Sequence, residues 1–125
     1  MSFEWEKIYN ERKMTAQEAV DNVVKDGDCI FMGGLTIAEE TLQTLLANIK
    51  QGKKKNIQFH GHLIQGNLKL DDPELNEYGF RYHCFFGGPY ERAGAKCQTV
   101  DFAPVHLNNF GNYMAYHSPD ISIVP

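Results

Sequence analysis

Apolar positions along the chain switch repeatedly between a helical period and short strand-like runs. A first helix is predicted from the capping box Thr15-Ala16-Gln17-Glu18. There the threonine hydroxyl accepts from the third helical N–H and the glutamate reaches back to the cap. Ala16, Ala19, Val20, Val23 and Val24 then recur at helical spacing, and Gly27 is a suitable stop. Asp26-Gly27-Asp28 turns into an apolar strand, Cys29 to Met32, followed at once by Gly33-Gly34. A second box, Thr36-Ile37-Ala38-Glu39, opens a helix whose stripe is Leu42, Leu45, Leu46 and Ile49 and which ends near Gly52. Lys50, Lys53, Lys54 and Lys55 suit the negative end of that helix and read as a solvated terminus.

A second strand is predicted over Asn56–Leu63, with Ile57, Phe59, Gly61 and Leu63 on one side and Gln58, His60 and His62 on the other. Residues 64–78 read as an irregular connection around the turn Asp71-Asp72-Pro73-Glu74. A third strand covers Gly79–Phe86 and stops at Gly87-Gly88-Pro89, where proline suits the first position of a helix over Pro89–Lys96. A fourth strand, Val100–Val105, a short helix around Leu107–Met114 and a fifth strand, Asp120–Val124, complete the chain. Strands alternating with helices predict an α/β fold, a mainly parallel sheet with helices on both faces. In such sheets the ligand crevice lies beyond the carboxyl ends of the strands. Those ends carry Gly33, Gly34, His60, His62, Gly87, Gly88 and His106, and glycines there let a ligand approach the backbone. These seven residues are the candidate substrate-binding set.

Length and charge narrow the choice of partner. At 125 residues the chain is one domain. Twelve basic and sixteen acidic residues give a net charge of −4, the wrong sign for wrapping a phosphate backbone, so no nucleic acid is expected. Three cysteines without a CxxC pair suggest neither a disulfide framework nor structural zinc. Cys29-Ile30-Phe31-Met32 is far too short an apolar run to span a bilayer, and Met1-Ser2-Phe3-Glu4-Trp5-Glu6 lacks an apolar leader core. No membrane partner and a cytoplasmic location are therefore expected.

Four kinds of chemistry are open to these residues. His60 and His62, two apart on a strand, point to one face as metal ligands do. A third ligand from His83, His106, Asp101 or Cys84 is fixed by no motif, so no metal is expected. Cys84 and His83, adjacent on a strand, face opposite sides and form no nucleophile–base pair. The aromatic run Tyr78–Phe86 superficially resembles the stacking strand of an RNA-recognition module, but the acidic balance and element order point to core packing. Among the carboxylates, Glu18 and Glu39 are assigned to caps, and Glu40, Glu74 and Glu77 to the surface. Glu91 is the one glutamate near a strand end and reads as a first-turn helix residue. No catalytic residue is therefore expected in this chain.

Trp5-Glu6-Lys7-Ile8-Tyr9, then Met14-Thr15-Ala16-Gln17-Glu18-Ala19-Val20 and Asp26-Gly27-Asp28, resembles the start of the acetyl-CoA hydrolase/transferase family, the family I CoA-transferases. Phe85-Phe86-Gly87-Gly88-Pro89-Tyr90-Glu91-Arg92 and Val100-Asp101-Phe102-Ala103-Pro104-Val105-His106-Leu107 are similar to that family's glycine–arginine loop and its "DF-PVHL" strand. Within the family the chain looks most like 4-hydroxybutyrate CoA-transferase and the butyryl-CoA:acetate CoA-transferases. It departs at Gln98, where the family usually has glycine, and at Thr36-Ile37-Ala38, where many members open the helix with proline.

The resemblance implies a CoA-transferase-like fold in which residues 1–125 form an N-terminal domain, about the first third of a member. The nucleophilic glutamate would belong to a C-terminal half, itself a partner of this one. Substrates would be an acyl-CoA and a short-chain carboxylate, with no cofactor beyond coenzyme A as substrate. The last strand, Asp120-Ile121-Ser122-Ile123-Val124, running straight into Pro125, is expected to leave apolar surface for that half and to favour a homo-oligomer. Other readings are an acetyl-CoA hydrolase, a non-catalytic small-molecule-binding α/β module and a metal-dependent hydrolase built on His60 and His62.

Overall fold

In a computed structural model of the chain, residues 4–33 and 36–125 are described. The capping box at Thr15 forms as its sequence dictates. The Thr15 Oγ1 accepts from the Glu18 N–H at 3.2 Å, and the Glu18 carboxylate accepts from the Thr15 N–H at 2.8 Å. Helix α2 (Ala16–Val23) follows, buries Val20 and turns at Gly27, whose φ of 86° favours glycine. Strand β1 (Cys29–Met32) then leads to helix α3 (Glu39–Lys50), whose stripe Leu42, Leu45, Leu46 and Ile49 is buried as the spacing requires. Asn48, also buried on α3, exchanges hydrogen bonds with Gln17 and so ties α3 to α2.

Strands β2 (Gln58–Gly61), β3 (Arg81–Cys84), β4 (Val100–Phe102) and β5 (Ile121–Ile123) complete one sheet in the order β4-β3-β2-β1-β5, with every pairing parallel. Helix α5 (Pro89–Lys96) joins β3 to β4. A 3-10 turn (Leu107–Asn109) and the helix Phe110–Tyr116 join β4 to β5. Right-handed crossovers explain the layers. From β1 to β4 the chain moves across the sheet in one direction, which puts α3 and α5 on one face, where α2 packs on α3. The return from β4 to β5 runs the opposite way and puts the last helix on the other face.

Alternation along the strands sorts the side chains accordingly. Ile30, Met32, Phe59, Tyr82, Cys84 and Val100 are buried with the α2 and α3 stripes in one core. Phe31, His60, His83 and Asp101 lie in register on the second face, with Ser122 at the far end of the same row.

Several boundaries differ from expectation. Strand β2 is shorter than Asn56–Leu63 because both ends have positive φ, 57° at Asn56 and 46° at Leu63. The box at Thr36 does not form: Thr36 is held in a parallel bridge to Gln65, and the helix starts after Ala38 without a side-chain cap. The expected irregular connection contains the single helical turn α4 (Glu74–Glu77), entered from Pro73. The N-terminal segment is helix α1 (Trp5–Arg12), none of it buried. The expected strand Gly79–Phe86 contracts to β3, and Val100–Val105 to β4, which ends two residues before Pro104. The expected helix Leu107–Met114 divides into the 3-10 turn and helix α6 (Phe110–Tyr116). No described helix is long and apolar enough to cross a membrane.

Candidate functional site

Because all five strands are parallel, their carboxyl ends share one edge. The strand order reverses between β1 and β5, where a ligand crevice opens in folds of this kind. Gly33 stands at that switch point. Its N–H donates to the Ile123 carbonyl at 3.0 Å, and a Cβ added to it would lie 2.6 Å from the Val124 side chain. Gly34 lies outside the described residues.

The loops after β2 and β3 meet each other. Leu63 donates its N–H to the Phe86 carbonyl at 3.2 Å, while the His62 ring lies 6.4 Å from Phe85 and 6.2 Å from Phe86, between centroids. Gly87 is exposed, with open space where a Cβ would stand, whereas Gly88 is buried against Glu91 and Leu63. The carbonyl of Gly87 accepts from the Arg92 guanidinium at 3.2 Å. His106 is exposed at the start of the 3-10 turn, and no contact among the described residues joins it to the others.

Glu91 does more than its place in a helical first turn predicts. It is 2% exposed and bridges the two loops. One carboxylate oxygen accepts from the Ile64 N–H at 2.7 Å and the other from the Gly88 N–H at 2.8 Å. The Tyr82 hydroxyl approaches the first oxygen at 3.5 Å. Glycine has no side chain to complete a capping box, so the Gly88 contact is half of one. The Ile64 contact lies 27 residues away in sequence, and no local pattern encodes it. A carboxylate committed to two backbone donors is a structural tie rather than a free nucleophile.

Beside the tie lies a cavity of about 260 Å³, lined by Cys84, Gly87, Glu91, Arg92, Val100 and Phe102 among others. A larger groove of about 380 Å³, between α3 and the 67–75 segment, shares no residue with the glycine loops. Burial, with Glu91 nearby, pushes the Cys84 thiol pKa up, which disfavours its thiolate.

The second face carries a cluster that sequence spacing does not reveal. His60 is 1% exposed and stacks on His83, with ring centroids 4.8 Å apart. His117, just past α6, lies 5.3 Å away on the same scale. The Nδ1 of His60 is 3.2 Å from the Tyr113 hydroxyl, and its Nε2 is buried without a partner. Burial, reinforced by His83 and His117, lowers the pKa of His60 to about 4. Burial also lowers that of His83, against the opposing pull of Asp101.

The expected pairing of His60 with His62 is therefore replaced, since the strand ends at Gly61 and His62 lies against the aromatic loop. Among the described residues no group of three or more His, Cys, Asp or Glu side chains is placed to hold a metal ion. The His60 ring stacks on His83 at 28° and is tilted by 33° to His117. Tyr82, fully buried in the core, offers no stacking platform.

RipA from Yersinia pestis has the same arrangement over 92% of this chain, with a TM-score of 0.77 and 18% identity. A RipA variant matches with a TM-score of 0.78 and 19% identity over the same share. The likeness is one of fold. This chain spans 28% of the length of those RipA chains. No family model matches the chain, and no curated protein matches it.

Proposed function

We propose that the chain is the N-terminal, acid-pocket part of a family I CoA-transferase moving CoA between an acyl-CoA and a short-chain carboxylate such as 4-hydroxybutyrate, butyrate or acetate. The observation that carries this reading is the Gly87-Gly88 loop. The motif that resembles the family's glycine–arginine loop falls at the carboxyl end of a central parallel strand, beside the His62 loop and tied to it by Glu91. The RipA-like fold supports the same reading.

In the proposed reaction a glutamate from the C-terminal half attacks the thioester carbonyl. The carbon–sulfur bond breaks, and CoA leaves as thiolate from an acyl-glutamyl anhydride. The thiolate then attacks the glutamyl carbonyl and releases the first carboxylate, which leaves a glutamyl-CoA thioester. The acceptor carboxylate repeats these steps in reverse, so no water, redox partner or net proton is consumed. The contribution of this chain is shape and backbone. Gly87, without a Cβ and open to solvent, lets a substrate approach the main chain, where N–H groups stabilise an oxyanion best. Gly33, Gly34, His62 and Gly88 complete the candidate pocket, and none is assigned a proton-transfer role, whereas His60, buried beneath Tyr113 on the second face, and His106, apart from the loops, fall outside it.

A non-catalytic binding module is the second reading, favoured by one observation: Glu91, the carboxylate in the loop region, is buried and bonded. Assay of CoA exchange from acetyl-CoA to butyrate separates the two. Activity in a longer protein carrying the second half supports the transferase, and its absence there supports the binding module. Turnover with water as sole acceptor would favour the hydrolase.

A further inference from the structure

Helix α6 is the helix that packs over the histidine row, and aromatic contacts hold it there. Phe110 meets Phe31 at 5.6 Å and Phe85 at 5.4 Å, and Tyr113 meets Phe85 at 5.0 Å, between ring centroids. Beneath it, His60 has one ring nitrogen at the Tyr113 hydroxyl and the other without a partner. A neutral imidazole leaves that nitrogen orphaned in either tautomer. A protonated one adds a charged N–H with no acceptor, inside a stack of imidazoles.

We propose that the His60–His83–His117 stack is a proton-operated latch, closed at neutral pH and driving α6 off the second face of the sheet in acid. The facing groups leave the charge uncompensated. From β3 come His83 and Arg81; from β4, Asp101, which is turned partly to Arg81 at 3.9 Å. From α6 and its C-terminal cap come Tyr113 and His117. From β1 comes Cys29, whose thiol donates to the His117 carbonyl at 3.4 Å and whose N–H donates to the Asp120 carboxylate at 2.9 Å. No carboxylate bonds an imidazole of the stack among the described residues.

The sign follows from linkage. His60 binds its proton less readily in the closed state, at about 4, than in an open state near the ordinary 6.5. Closure is complete above about pH 6.5 and is lost as pH falls towards 4. For His60 alone the closing equilibrium weakens about 20-fold between pH 7 and pH 5 and about 300-fold over the whole window. His83, lowered in the same direction, adds to the loss. Opening uncovers Phe31 and Phe85 beside the protonated histidines, so the acid form presents two aromatic rings on a cationic sheet face.

Hydrogen exchange of the 125-residue chain, corrected for intrinsic rates, tests the latch. Amides of residues 107–117 should open about 20-fold more at pH 5 than at pH 7 while β1 to β3 hold steady. His60 should titrate below pH 5 by NMR. His117→Gln, at an exposed position, together with His83→Gln, should raise that midpoint and make the rise smaller than the roughly 20-fold of the unaltered chain. An unchanged 107–117 segment, sheet amides opening in step with it, or His60 titrating near 6.5 would each overturn the latch.

Discussion

Replacing Glu91 by glutamine keeps the side chain's size while exchanging one carboxylate oxygen for an amide NH2. Both oxygens are in use, at 2.7 Å to the Ile64 N–H and 2.8 Å to the Gly88 N–H, in a residue 2% exposed. In E91Q the amide oxygen can serve one of these donors, and the NH2 must face the other, donor against donor. A hydrogen bond to a charged group contributes about 1.5–3 kcal/mol, and the surviving neutral bond is roughly half as strong. Relief from burying a charge offsets part of this, leaving a net cost of about 2–3 kcal/mol. With the usual unfolding entropy of about 2.1 cal/mol/K per residue, a chain of this length should lose about 10 °C in Tm. Urea denaturation should report the loss with an unchanged m-value, and the Gly88 and Ile64 amides should move most in NMR spectra. A cost below about 0.5 kcal/mol would mean that water or a neighbour replaces the tie, and the argument for Glu91 as the clamp between the loops would fail.

Three further substitutions separate packing from function. Gly94→Ala should destabilise by about 1–3 kcal/mol in urea titrations despite the better helix propensity of alanine, since the new Cβ would lie 2.4 Å from Val100 and 3.1 Å from the Leu70 carbonyl. Gly87→Ala meets open space and should change stability by less than about 0.5 kcal/mol, yet lower CoA-transfer turnover in the longer protein; unchanged turnover would remove Gly87 from the pocket. Thr99→Val leaves the buried Leu70 carbonyl without its hydroxyl donor, while the Gly94 carbonyl keeps the Cys97 and Thr99 N–H groups, and should cost about 1–3 kcal/mol by thermal or urea unfolding.

Much of the fold is legible because its signals are local. The stripe Leu42, Leu45, Leu46, Ile49 and the box at Thr15 need only their own neighbours, and both form. The Thr36 box satisfies the same local rule and fails, because a distant residue, Gln65, claims the backbone of Thr36. Helix α1 buries nothing and so has no apolar stripe to read, and α4 is a single turn. The alternation of strands and helices implies a parallel sheet but not its order. The switch point between β1 and β5 therefore emerges only from the pairing. The same limit applies to the site. Glycines at strand ends are visible in sequence, whereas the Glu91 tie to Ile64 and the stacking of His60 with His83 and His117 join segments from different strands and helices. Spacing in sequence singled out His60 with His62; strand register pairs His60 with His83 instead.

This chain is proposed to shape an acid pocket whose nucleophile lies in another part of the protein. Borohydride trapping after mixing with acetyl-CoA tests it most directly, on the 125-residue chain and on a longer protein carrying the second half. A glutamyl-CoA thioester is expected in the longer protein alone, mapping beyond Pro125, with Glu91→Gln leaving the trapped residue in place. Trapping in the 125-residue chain by itself, abolished by Glu91→Gln, would contradict it.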